Sequence, residues 1–239
     1  MYLADQAHVP YGERTEEDLR GILRDNVATL EAAGVDAIVM GCNTSCAIAA
    51  KYGWPPARVP ILDLIDAAAA DVAARKGRRI GVLATTATAR SGAYGAAIRR
   101  VVADADVQEV AAPKLVPLVE SGVLDGSDAA LEAVEEACAP FRFPLDMLVL
   151  ACTHYPLLDA SFAAVLGSRV QRIDPALSQA EGAVAWVRAR GALRRRHETG
   201  TVRYVTTGPR EPFLAALTRI VGNEVEPADI VALALPAGR

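Results

Sequence analysis

Two cysteines, Cys42 and Cys152, stand in matching surroundings. Asp36-Ala37-Ile38-Val39-Met40-Gly41-Cys42-Asn43-Thr44 and Asp146-Met147-Leu148-Val149-Leu150-Ala151-Cys152-Thr153-His154 share one pattern: Asp, four apolar residues, a small residue, Cys, then two polar residues. The offset is 152 − 42 = 110 residues, and two similar half-molecules are the simplest reading. Each cysteine then ends a buried strand, at the edge where open α/β sheets bind ligands. One thiol from each half suits inversion of a stereocentre. A thiolate takes a proton from one face of a carbon while the opposite thiol supplies one to the other, and the roles exchange in reverse. The α-proton of an amino acid is very weakly acidic, so hydrogen bonds at the carboxylate must stabilise the developing charge. Asn43, Thr44 and Thr153 are placed to supply them, as are backbone N–H groups where helices begin.

Other uses of cysteine compete with this reading. A buried cysteine commonly serves as a small hydrophobe, which fits Cys138 on a helix and Cys46 one turn after Cys42. It fits Cys42 and Cys152 poorly, because both lie at strand ends beside hydrogen-bonding residues. Cys42 and Cys46 are spaced to share a helical face, yet the chain lacks a convincing set of further zinc ligands. A Cys152–His154 nucleophile explains one cysteine and leaves the repeat unexplained.

The elements that must position these groups alternate along the chain. Short apolar runs predict buried strands over 37–40, 61–62, 80–84, 107–111, 147–151, 170–173 and 202–206. Helices are expected over 15–33, with Thr15 as cap and Gly34 as stop, and over 63–76, 91–102, 127–139 and 211–221, the last stopped by Gly222. Continuous apolar strands separated by helices indicate parallel sheets covered on both faces. The expected fold is α/β: two pseudo-symmetric parallel-sheet α/β domains with the active site in the cleft between them. The basic stretch Arg75-Lys76-Gly77-Arg78-Arg79 marks the crossing. Residues 1–78 and 175–239 are assigned to the first domain and 79–174 to the second.

The bulk composition narrows the function. The 239 residues are 52% hydrophobic, enough for a substantial core. A net charge of −4 argues against a general nucleic-acid-binding surface, and Arg194-Arg195-Arg196 reads as a solvated charge run. Four cysteines in a chain of this length do not make a disulfide scaffold. Asp5 interrupts any apolar start, and the apolar runs are too short to span a membrane. A cytoplasmic protein with reduced thiols, binding neither nucleic acid nor membrane, is the expectation.

Several segments now resemble glutamate racemase, of the aspartate/glutamate racemase superfamily. Gly41-Cys42-Asn43-Thr44 is similar to that family's first catalytic segment and Ala151-Cys152-Thr153-His154-Tyr155-Pro156-Leu157-Leu158 to its second. Tyr2-Leu3-Ala4-Asp5 with Val9-Pro10-Tyr11-Gly12 resembles a strand and Pro-Tyr-Gly loop of the family. Ala84-Thr85-Thr86-Ala87-Thr88 and Val116-Pro117-Leu118-Val119-Glu120-Ser121-Gly122 also fit. The resemblance implies a racemase free of PLP and metal, converting L-glutamate to D-glutamate for peptidoglycan, with a homodimer as a family-level expectation. It implies Cys42 on the D-substrate face and Cys152 on the L-substrate face. Tyr11, Gly12, Asn43, Thr44, Thr153 and His154 would bind substrate, with Glu120 and His154 handling protons. Without the resemblance, Glu120 reads as a solvated helix-end carboxylate and Tyr11 as a turn aromatic. Asp5 and His8 read as loop-capping groups. The other readings are an aspartate racemase, a related cysteine-dependent isomerase or decarboxylase, and a ligand-binding homologue without catalysis.

The symmetry leaves one gap. The second half opens with a strand at 80–84, a Thr-rich loop and a helix before its 107–111 strand. The first half opens directly at Tyr2. Members of the resembled family begin with a further strand and an Asp-Ser loop, so a start upstream of Met1 is the expectation. A shortened, weakly active protein is the other reading.

Overall fold

The computed structural model describes residues 1–191, 200–221 and 230–233. It is an α/β structure in which every strand pair among the described residues is parallel. The first part contains β1 (Tyr2–Ala4), α1 (Glu16–Ala32), β2 (Ile38–Val39), α2 (Asn43–Tyr52), β3 (Ile61–Leu62) and α3 (Leu64–Ala74). There follow β4 (Arg79–Ala84), α4 (Thr86–Ser91), α5 (Ala93–Val101), β5 (Asp106–Ala111), α6 (Leu115–Glu120), α7 (Asp128–Cys138), β6 (Met147–Ala151), α8 (Asp159–Leu166) and β7 (Gln171–Ile173). The chain closes with α9 (Pro175–Ala189), β8 (Tyr204–Thr206), α10 (Arg210–Val221) and β9 (Ile230–Ala232). Arg194-Arg195-Arg196 and Gly222 lie outside the described residues.

The sheet β5-β4-β6-β7 is the packed centre of the molecule. Side chains alternate across a strand, and the two faces build two cores. Ile80, Val82, Ala84, Met147, Val149 and Ala151 join the core beneath α3 and α5. Leu83, Leu148, Leu150 and Cys152 join the opposite core with Tyr155, Leu158 and Phe162. Burial on both faces is why these strands read as unbroken apolar runs.

The remaining strands form two smaller sheets, β1-β8-β9 and β2-β3. Set beside β5-β4-β6-β7, β1 answers to β5, β2 to β6 and β3 to β7. No strand among the described residues takes the place that β4 holds. Among the described residues β1 pairs only with β8 and β2 only with β3, and Tyr2 and Val39 are exposed.

Helix starts follow from side-chain capping. Thr15 accepts from the Asp18 N–H, Asp63 from Ile65 and Asp66, Thr85 from Thr88, and Ser127 from Ala130. Several expected elements differ in extent, the 202–206 strand starting at Tyr204 and the 63–76 helix ending at Ala74. The 37–40 strand shortens to Ile38–Val39, where pairing with Ile61 and Leu62 is all the ladder available. The 91–102 helix begins at Ala93, because Gly92, at φ +66°, breaks it from α4. A left-handed backbone here suits glycine alone at little cost.

Candidate active site

Cys42 caps the N-terminus of α2 with extended backbone. Its carbonyl receives the Cys46 N–H at 3.1 Å, closing the first turn. The thiol is partly exposed, whereas Cys46 is fully buried. Cys152 follows β6 directly and is buried. Burial pushes the Cys152 thiol up to about 12, against the opposing pull of the His154 and Tyr155 N–H groups. Charge on Cys42 raises it further, so the two sulfurs act on each other electrostatically.

A second group leads outward from Cys152. His154 Nδ1 lies 3.8 Å from Cys152 Sγ. His154 Nε2 lies 2.6 Å from Glu120 Oε1, at the C-terminal end of α6. The carboxylate is largely exposed and the imidazole about a quarter exposed. Thiol, imidazole and carboxylate thus form a line from the buried sulfur to solvent, able to carry a proton in either direction. Thr153, between them in sequence, is exposed.

The residues after Cys42 are held by the loop after β4 and by α4 and α5. Thr44 Oγ1 lies 3.2 Å from Thr85 Oγ1 and 3.3 Å from Thr88 Oγ1, and Thr85 donates to Thr88 at 3.1 Å. Asn43 Oδ1 accepts from the Tyr94 hydroxyl. Asn43 and Thr44 are both buried. Thr85, Thr88 and Tyr94 carry no role in the sequence reading. The Thr85 pair had a visible signal, a Thr-rich loop at a strand end like those of Cys42 and Cys152. Tyr94 had none.

The loop after β1 is organised by Asp5. Its carboxylate receives the Tyr11 hydroxyl at 2.5 Å, the Thr207 hydroxyl at 2.7 Å and His8 Nδ1 at 2.8 Å. Burial pushes Asp5 up, but these hydrogen bonds outweigh it and hold the carboxyl below its ordinary range. Tyr11 is pushed well up by burial and by the Asp5 charge, so its hydroxyl stays protonated and committed to Asp5. The loop-capping reading of Asp5 and His8 describes this network. Gly12 approaches the second half closely: a Cβ built there would meet Thr85 Cβ at 3.0 Å. Tyr11, Gly12 and the Asn43–Thr44 pair are thereby linked through Thr85 and its neighbours, while Glu120, His154 and Cys152 form the separate line described above.

No helix among the described residues is long and apolar enough to cross a membrane. Residues 1–183 match the Asp/Glu/hydantoin racemase family. A glutamate racemase of Desulforudis audaxviator is 35% identical over 98% of this chain and 88% of its own length. A solved glutamate racemase of Bacillus anthracis superposes with a TM-score of 0.89 at 27% identity, covering 99% of this chain and 88% of that one. The glutamate racemase of Francisella tularensis, solved with D-glutamate, gives 0.86 at 26% identity, covering 98% and 86%.

Proposed function

The chain belongs to the Asp/Glu/hydantoin racemase family, and from that premise we propose that it interconverts L- and D-glutamate by passing the α-proton between Cys42 and Cys152. The observation that supports this reading best is the line Glu120–His154–Cys152. It gives the buried thiol a route for its proton.

With L-glutamate bound, Cys152 acts as base. Its thiol first passes its proton to His154, which Glu120 orients and stabilises as a cation. The resulting thiolate is a strong base, because burial has raised its proton affinity. It takes the α-proton from one face, leaving a carbanion stabilised through the carboxylate. The Cys42 thiol delivers a proton to the other face and becomes the thiolate. In the D-to-L direction Cys42 is the base and Cys152 the acid. One C–H bond breaks and one forms in each passage, with no net change in oxidation state.

Asn43, Thr44, Thr153, Tyr11 and Gly12 line the substrate, with His154 also within reach of it. Asn43 and Thr44 sit at the start of α2, where N–H groups and the helix dipole favour an anion. A cytoplasmic homodimer supplying D-glutamate for peptidoglycan completes the reading.

Incubation with L-glutamate in deuterated water tests it. Racemisation puts one deuterium at Cα and erases the optical rotation. Cys42→Ser and Cys152→Ser each abolish two-way conversion. Undiminished conversion by both variants rules out the two-thiol pathway, and faster turnover of aspartate than glutamate reassigns the substrate.

A further inference from the structure

Tyr94 is a tyrosine with no surface, on a helix of the second half, whose hydroxyl reaches a polar side chain of the first half. It is 0% exposed, lies in the first turn of α5, and donates to Asn43 Oδ1. Burial holds the phenol well above its ordinary range, so it keeps its proton, and in the structure it donates that proton to the amide oxygen. With Oδ1 taken by the hydroxyl, the –NH2 group of Asn43 points away from Tyr94. Among the described residues no other hydrogen bond engages the Asn43 side chain. Both amide N–H groups therefore remain available, next to Cys42.

We propose that Tyr94 is a positioning residue, which sets the Asn43 amide so that it presents donors, not its oxygen, to the carboxylate of the bound amino acid. The proposal rests on the racemase reading above. Tyr94 touches neither substrate nor the reacting atoms; it acts through Asn43.

Its helix is fixed at the same turn. Glu109 Oε1 accepts the Gly95 N–H at 2.8 Å. A Cβ at residue 95 would stand 2.8 Å from that oxygen, so glycine admits the carboxylate. Arg99 donates to the Val107 carbonyl at 2.9 Å, tying α5 to β5 from the next turn. The hydroxyl of Tyr94 is thus delivered to Asn43 by a helix that cannot easily shift.

The test is a double-mutant cycle of Tyr94→Phe and Asn43→Ala, read as kcat and KM for both enantiomers with the unmodified protein as control. Tyr94→Phe is expected to raise KM about tenfold with a smaller fall in kcat, the loss of one hydrogen bond's discrimination. The double variant is expected to be no worse than Asn43→Ala alone. Losses that multiply, or an unchanged KM in Tyr94→Phe, overturn the proposal. Absence of racemisation in the unmodified protein instead overturns the functional reading. Should Tyr94→Phe fail to fold, 3-fluorotyrosine at position 94 keeps ring and hydroxyl while strengthening the donor. An unchanged KM in that protein also overturns the proposal.

Discussion

The Nε2 atom of His154 lies 2.6 Å from Glu120 Oε1, a contact made across 34 residues of sequence. It assigns the other ring nitrogen, Nδ1, to the Cys152 side at 3.8 Å. A carboxylate on Nε2 fixes the orientation of the imidazole, as second partners of functional histidines do.

Removing either outer member should slow proton transfer at Cys152 specifically. Glu120→Gln and His154→Asn are expected to lower kcat/KM between about 10- and 100-fold, below the range for a group that itself exchanges the substrate proton, because both act through Cys152. Enantiomers have equal free energies, so kcat/KM must fall equally in both directions. The asymmetry appears instead in the primary isotope effect. In the proposed mechanism Cys152 is the base for L-glutamate, so [2-²H]-L-glutamate should show a larger increase in isotope effect than its D counterpart. Equal isotope effects in both variants would place His154 outside the proton path.

Thiol ionisation also gives stability a pH dependence. Burial raises Cys152 from 9.0 to about 12. The folded state prefers the neutral thiol, so this contribution is complete below pH 9 and is lost as pH rises through 9 toward 12. The decline is at most about 1.4 kcal/mol for each pH unit in that window. Urea titrations at pH 8 and pH 10.5 should therefore show a shallower loss in Cys152→Ser than in the unmodified protein. Parallel slopes would mean that Cys152 ionises in the folded state as freely as in the unfolded chain. In the same pH range, iodoacetamide should label partly exposed Cys42 before buried Cys152 and Cys46, which peptide mass spectrometry resolves.

Much of this site was readable from residue order alone. The Asp-apolar-small-Cys repeat located Cys42 and Cys152 at strand ends, because a strand buried on both faces leaves an unbroken apolar run. Capping residues Thr15, Asp63 and Ser127 marked their helices, since the capping bond is local. What was not readable depends on contacts between distant segments. Tyr94 looks like a core aromatic on an amphipathic helix, and nothing near residue 94 announces Asn43, 51 positions away. Asp5 has the same character: one of its partners, Thr207, lies 202 residues on. The short β2 reflects its pairing, since among the described residues only β3 pairs with it.

Gly12 is where the first loop meets the second half. A methyl group at residue 12 would sit 3.0 Å from Thr85 Cβ and 3.3 Å from its Cγ2. Neither atom can swing away, because Thr85 caps α4 and contacts both Thr44 and Thr88. Gly12→Ala should push the loop outward at a cost of about 1–3 kcal/mol. Tyr11 is carried on that loop, so KM should rise with a smaller change in kcat. Retention of both parameters together with an unchanged melting temperature would show that the loop gives way freely.

Thr44 tests whether the hydroxyl contacts between the halves matter beyond packing. Thr44→Val keeps the shape and removes the hydroxyl that meets Thr85 and Thr88. Thr85 and Thr88 still satisfy each other at 3.1 Å, so no buried hydroxyl is stranded. The stability loss should therefore stay near about 1 kcal/mol, the net value of an ordinary hydrogen bond. Thr88 is fully buried, and Thr88→Val removes the contact from both partners at once. It also leaves the Thr85 hydroxyl with only Thr44 and the backbone N–H of residue 88. Thr88→Val should consequently be the more destabilising of the two. Thr44→Val should weaken glutamate binding more, because Thr44 follows Asn43 directly and shares its helix turn. Thermal unfolding measured beside KM separates these two orders. If Thr44→Val proves the more destabilising and Thr88→Val the weaker binder, the assignment of one threonine to the substrate and the other to the frame is reversed.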